Sequence, residues 1–296
     1  MSTTPMWTSR HATSIWSRTR AVPGKRLLLH LSLSAGALLM LYPIAWMIAS
    51  SLKAENEIFA DPGLVPSYIE IQNYIEGWFS LGQPFTGFFL NSLLLCTAVV
   101  AGNLVSCSMA AYAFARLRFR ASGFWFAIML GTIMLPYHVT LIPQYTLFFN
   151  LGWVDTYLPL IVPKLLATDG FFVFLFVQFI RGIPIELEEA ARVDGAGSLR
   201  IYLTIILPLL RPALVTGALF SFLWTYNDFF PQLVYISDTG LYTVPLALRT
   251  LLDTTGDSAW GPMLAMSTLS VVPMIAIFVF FQRQIVEGIA TSGLKG

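Results

Sequence analysis

Residues 181–212 read RGIPIELEEAARVDGAGSLRIYLTIILPLLRP, a polar hinge set between two long apolar runs. Pro184 suits the first position of a helix, where its missing N–H is no loss, and Glu186, Glu188 and Glu189 follow in the opening turns, where the helix dipole favours negative charge. A short helix is therefore expected from Pro184 to Asp194, stopped by Gly195 and Gly197, which supply the left-handed backbone of a C-cap and tight turn. Ser198 is placed to cap a second helix. Leu187, Ala190, Ala191 and Asp194 recur at helical spacing on one face, and the two alanines allow another backbone to come close. Helix grammar alone leaves two readings, a docking surface for a partner's groove or a solvated amphipathic linker.

Working outward, the chain is 56% hydrophobic and only 11% charged, with a mean hydropathy of +0.70, a composition of integral membrane proteins. A net charge of +1 argues against nucleic-acid binding, which needs a basic surface to displace counterions. Cys96 and Cys107 fall on one expected helix about 16 Å apart along its axis, too far to bridge, and read as buried packing residues. Apolar runs of spanning length lie at about 27–49, 88–115, 123–147, 157–180, 204–229 and 262–283, which predicts an all-α bundle of six transmembrane helices. The first is longer than a signal-peptide core and reads as a retained span.

Lys and Arg orient the bundle. The tail 1–26 carries Arg10, Arg18, Arg20, Lys25 and Arg26 without an acid; Arg116, Arg118 and Arg120 follow the second span; Arg181, Arg192 and Arg200 lie in the hinge. These segments belong in the cytoplasm by the positive-inside rule, whereas 50–87, with Glu55, Glu57, Asp61, Glu70 and Glu76 against Lys53, and the loops near 150 and 230–261 belong outside. Both termini are then cytoplasmic, with a membrane domain at 27–284, a coupling loop at 181–203 and a C-terminal tail at 285–296.

The hinge resembles a known motif. Glu189-Ala190-Ala191, three residues, Gly195, nine residues, Ile205, one residue, Leu207-Pro208 is similar to the EAA loop of ABC importer permeases at every defining position. Leu41-Tyr42-Pro43, Ser51-Leu52-Lys53, Asn73-Tyr74, Met134-Leu135-Pro136 and Ile142-Pro143 resemble the maltose-type sugar permeases, and residues 288–296, GIATSGLKG, resemble the tail of their G component. The resemblance implies the type I ABC importer permease fold in a bacterial inner membrane, with the hinge as a coupling helix seated in an ATPase cleft through Glu189, Ala190, Ala191, Asp194, Gly195, Leu207 and Pro208. It further implies a tail contact with the ATPase through Gly288, Gly293 and Lys295. The expected partners are a homologous permease subunit, two ATPase subunits and an extracytoplasmic solute-binding protein, with ATP and magnesium used by the ATPase and no cofactor in this chain.

No nucleotide-cradling glycine loop, His-Glu-x-x-His or Gly-x-Ser-x-Gly occurs, and the histidines, His11, His30 and His138, are scattered, so no catalytic or metal constellation is expected. Polar groups inside the spans are the remaining candidates. Lys164 and Asp169, about 140° apart on a regular helix, are not expected to pair along one face, although Thr168 and Gly170 point to a loosening of the helix there; they line a solute path or gate, or find bundle neighbours. Pro136 and Pro143 are expected to bend the third span and free carbonyls near Tyr137, His138 and Gln144, for a sugar or merely as a kink. Trp224, Tyr226, Asn227 and Asp228 suit a sugar face or an aromatic belt, and Asn91, Asn103, Ser106 and Ser108 suit helix packing. An ion-driven secondary transporter is the alternative; it wants a relay of carboxylates or histidines, where Asp169 stands nearly alone, and two related halves, of which there is no sign.

Overall fold

The computed structural model describes residues 23–253 and 259–293. In chain order its helices are α1 (Pro23–Ser50), α2 (Glu55–Ile58), α3 (Gln72–Phe79), α4 (Phe85–Arg116), α5 (Ser122–Ile133), α6 (Tyr137–Asn150), α7 (Leu158–Ile161), α8 (Gly170–Arg181), α9 (Glu186–Val193), α10 (Ser198–Ile201), α11 (Leu207–Leu209), α12 (Arg211–Tyr226), α13 (Phe230–Tyr235), α14 (Val244–Asp253) and α15 (Trp260–Gly293). Most of the expected basic tail and Lys295 lie outside the described residues. Up to Trp46 the chain forms a unit of its own, whose Leu28, Leu38, Leu39 and Met40 are exposed as a lipid-facing helix requires.

Of the six expected spans, four correspond to helices long and apolar enough to cross a bilayer, at Leu27–Ser50, Phe85–Arg116, Leu158–Arg181 and Trp260–Gln282. The third and fifth are bent pairs: α5 and α6 meet at 102°, and the segment Ser198–Leu209 meets α12 at 75°. The first bend falls at Leu135 and Pro136, where proline removes a donor and drives the preceding residue from helical geometry. Pro143, expected to share in the bend, sits inside α6. The fourth span is interrupted as well: Val162–Leu166 is a 3-10 turn, and Ala167 takes a left-handed φ of 55° before α8 begins.

α4 is the central rod, about 48 Å long at 1.5 Å per residue. One core cluster joins its second half to α8 and α10–α12 through Cys107, Ala111, Phe176, Val177, Ile201 and Ile206. A second joins its first half to α12, α14 and α15 through Phe85, Phe88, Cys96, Phe222 and Met266. Both cysteines are free and buried, as their spacing required. The polar residues of α4 serve packing: Asn103 Nδ2 donates to Ser221 Oγ at 3.1 Å, the Ser106 hydroxyl donates to the Lys164 carbonyl at 2.7 Å, and Ser108 Oγ lies 2.7 Å from Tyr202 Oη.

At the start of α4, Asn91 Nδ2 donates to the carbonyls of Gly240 and Tyr242, each at 2.9 Å, and Ser92 Oγ accepts from the Val244 N–H at 2.9 Å. The loop after α13 is thus held at the opposite end of α4 from Arg116. It is also tied to the α6–α7 loop, because the Asp155 carboxylate accepts from the N–H groups of Asp238 and Ser237, each at 2.8 Å, and these bonds hold its pKa below the ordinary carboxylate range. A group whose folded pKa is depressed holds its tie above the unfolded value of about 3.9 and loses it as pH falls through the lowered one. Asp155→Asn is expected to mimic that loss at neutral pH, seen as faster amide exchange at Ser237 and Asp238.

Candidate functional site

The hinge at 181–203 folds as its sequence asks, with small shifts at its start. α9 begins at Glu186 rather than Pro184, since the first bonds run from the N–H groups of Glu188 and Glu189 to the Ile185 carbonyl, at 3.0 and 3.1 Å. Its end is a Schellman closure: the Gly195 N–H reaches the Arg192 carbonyl at 3.0 Å, the Ala196 N–H reaches the Ala191 carbonyl at 2.9 Å, and Gly195 takes φ 81°. Ser198 is not a cap; Gly197 precedes α10 and no side chain caps it.

Glu189, Ala190, Asp194 and Gly195 are exposed, as are the apolar Leu187 (45%) and Val193 (87%) beside them. Ala191, expected on the same face, turns half-buried toward the core. Beyond the loop, Leu207 packs on that core and Pro208 is exposed within α11, next to a π-helical turn at Tyr202–Ile206.

What sequence reading missed is Glu188. It is fully buried, with Arg116 Nε at 2.5 Å from Oε1 and Arg192 Nη2 at 3.3 Å from Oε2. Arg116 also donates through Nη2 to the carbonyls of Ile180, at 2.7 Å, and Ile183, at 2.5 Å. The only signal in the chain was the i,i+4 spacing of Glu188 and Arg192; nothing local could point to Arg116.

The intramembrane charges correct an expectation. Lys164 Nζ meets Asp169 at 2.8 Å from Oδ1 and 3.0 Å from Oδ2. The helical angle that kept them apart does not apply, because the backbone leaves helical geometry at Ala167 and folds the ammonium back over the carboxylate. The pair lines a cavity of about 1060 Å³, together with Tyr137, Gln144, Trp224 and Asp228. Trp224 is fixed there by ring contacts to Phe171 and Phe172, at centroid distances of 4.9 and 5.4 Å. His138 and Asn227 do not line this cavity: the His138 ring packs edge-on to Phe230, and the Asn227 amide donates to the Leu223 carbonyl at 2.8 Å. Gly288 and Gly293 are carried on the end of α15, which continues to Gly293, and Lys295 lies outside the described residues.

Residues 102–291 match the family described as "Binding-protein-dependent transport system inner membrane component". The chain belongs to this family. The permease is 32% identical to the arabinooligosaccharides transport system permease protein AraQ of Halalkalibacterium halodurans, over 88% of its own length and 93% of that protein. It is also 32% identical to the trehalose/maltose transport system permease protein MalG of Thermococcus litoralis, over 92% and 98%. Its fold matches a chain in the crystal structure of a bacterial ABC transporter involved in the import of the acidic polysaccharide alginate, with a TM-score of 0.77 and 22% identity over 95% of this chain and 99% of that one. This inner-membrane permease is therefore a transport subunit rather than an enzyme, and the ion-coupled alternative finds no support.

Proposed function

We propose that the permease pairs with a homologous permease subunit and carries a sugar or sugar-like solute inward by alternating access, worked by two copies of a separate ABC ATPase that hydrolyse magnesium-bound ATP. A solute-binding protein delivers the solute at the far side, and both termini lie on the ATP side. The observation that carries this reading is the exposed side of α9: Leu187 and Val193 stand out beside Glu189 and Asp194 in a polar loop, apolar surface that a partner's groove would cover. The names of the two relatives, trehalose/maltose and arabinooligosaccharides, support the sugar class. The tail residues Gly288, Gly293 and Lys295 add a second ATPase contact on this reading.

Co-purification with an ATPase, followed by uptake of radiolabelled trehalose, maltose or arabinotriose into proteoliposomes, tests the proposal. Internal ATP should drive uptake in the presence of the binding protein; uptake driven by a proton gradient without ATP would overturn it.

Within the cavity, the Lys164–Asp169 pair with Tyr137, Gln144 and Trp224 offers polar groups and an aromatic face to a sugar. Lys164→Met or Asp169→Asn leaves the other charge unpaired, a cost of about 1–2 kcal/mol after discounting for partial exposure. Each is expected to lower uptake several-fold with the complex still assembled. Unchanged uptake in both would remove the pair from the solute path.

A further inference from the structure

α9 is tied sideways to α4 as well as along the chain. Its one buried acid, Glu188, is held by Arg116 at the last residue of α4, and Arg116 in turn holds the carbonyls of Ile180, near the end of α8, and of Ile183, just past it. Further along α4, Ser108 meets Tyr202 of the segment that follows α9. From there α4, a single 32-residue helix without an internal proline, runs unbroken to Asn91 near its start, which grips the 240–242 loop. By contrast, the covalent route from α9 to α12 passes Gly195, the π-helical turn and the 75° bend. A stiff helix fixed at both ends transmits displacement better than a chain of turns.

We propose that Arg116 and Glu188 are positioning residues that join the coupling helix to α4, and that α4 carries motion end to end between the ATPase face and the 239–243 loop. This rests on the coupling reading of α9 above. A desolvated ion pair suits the joint because its geometry is directional: the guanidinium fork addresses one carboxylate oxygen and two carbonyls at once.

The test uses the whole transporter, with its ATPase, in proteoliposomes, and the cognate binding protein as purified. The readout is the fold stimulation of ATP hydrolysis by the binding protein, normalised to assembled complex, so it does not depend on knowing the sugar. Glu188→Gln, isosteric and still able to pack, is expected to lower stimulation roughly ten-fold, within the range of ordinary inter-site coupling. Asn91→Ala, at the other end of the rod, is expected to do the same. The double variant Arg116→Cys with Glu188→Cys, whose truncated side chains open the space between the two positions, should lose stimulation and regain most of it when a bifunctional thiol reagent bridges them; the parent complex, with native Cys96 and Cys107 alone, is treated in parallel and should not respond.

Recovery on bridging separates a mechanical joint from a residue needed only for folding, which a tether would not restore. Full stimulation in Glu188→Gln or in Asn91→Ala, or an assembled, bridged complex that stays unstimulated, overturns the inference. A wild-type complex that binds no ATPase would instead strike the proposed function itself.

Discussion

Gly195→Val is expected to cut ATP-driven uptake at least roughly ten-fold while the protein remains in the membrane, a loss in the range of ordinary coupling energies. Gly195 holds φ 81°, and a Cβ there would meet nothing within 4 Å, so the obstacle is the backbone and not space. An L-residue pays about 1–2 kcal/mol in this region, and a β-branched one more. That is too little to unfold a bundle with three buried clusters, yet enough to open the closure that ends α9 and turn Asp194 away from Glu189 and Ala190. Asparagine tolerates the left-handed region, so uptake should fall in the order Gly, Asn, Ala, Val. Quantifying membrane protein by immunoblot beside uptake checks this, and normal uptake in Gly195→Val would end the reading of α9 as the coupling helix.

The second large effect is structural. Gly261→Ala is expected to destabilise the detergent-solubilised transporter by about 3 kcal/mol, the upper part of the usual range for overpacking. A Cβ at Gly261 would lie 2.7 Å from Asn73 Cγ. Asn73 cannot step back, because its amide donates to the carbonyls of Ser51 and Lys53 at 3.0 and 2.8 Å. Lys53 is itself buried, its ammonium donating to the carbonyls of Asp61 and Gly63. Glu55 holds the start of α15 through the N–H groups of Trp260 and Gly261, at 3.0 and 2.9 Å. The alanine therefore strains the clasp between the segment after α1 and the last span, which a lowered melting temperature would report. An unchanged melting temperature would mean that the clasp relaxes freely.

Which features were legible before the fold was known follows from the range of the forces involved. Spans and their number were, because hydrophobic length is a property of consecutive residues. The closure of α9 at Gly195 was, because only the local φ decides it. Asn91 and Asn103 could be assigned to packing, but not to their partners, the 240–242 loop and Ser221, which lie more than a hundred residues away.

The Lys164–Asp169 pair shows where local reasoning stops. The angle between two residues on a helix holds only while the helix does, and at Ala167 it does not. His138 and Asn227 carry suitable chemistry, yet the His138 ring packs on Phe230 of α13 and the Asn227 amide turns back to Leu223 of α12, so neither lines the cavity.

The amino-acid sequence by itself determined that this chain lives in a membrane, which stretches are long and apolar enough to span it, that α9 stops at Gly195, and which short loop carries the EAA pattern, since hydropathy, glycine and helix-end charge all act over a few residues. Only the tertiary structure decided that Glu188 is buried against Arg116, that α4 spans from that joint to the far loop, and that the charged pair closes on itself beside a cavity. A buried charge must find its partner wherever packing brings one, and here that partner lies 72 residues away along the chain.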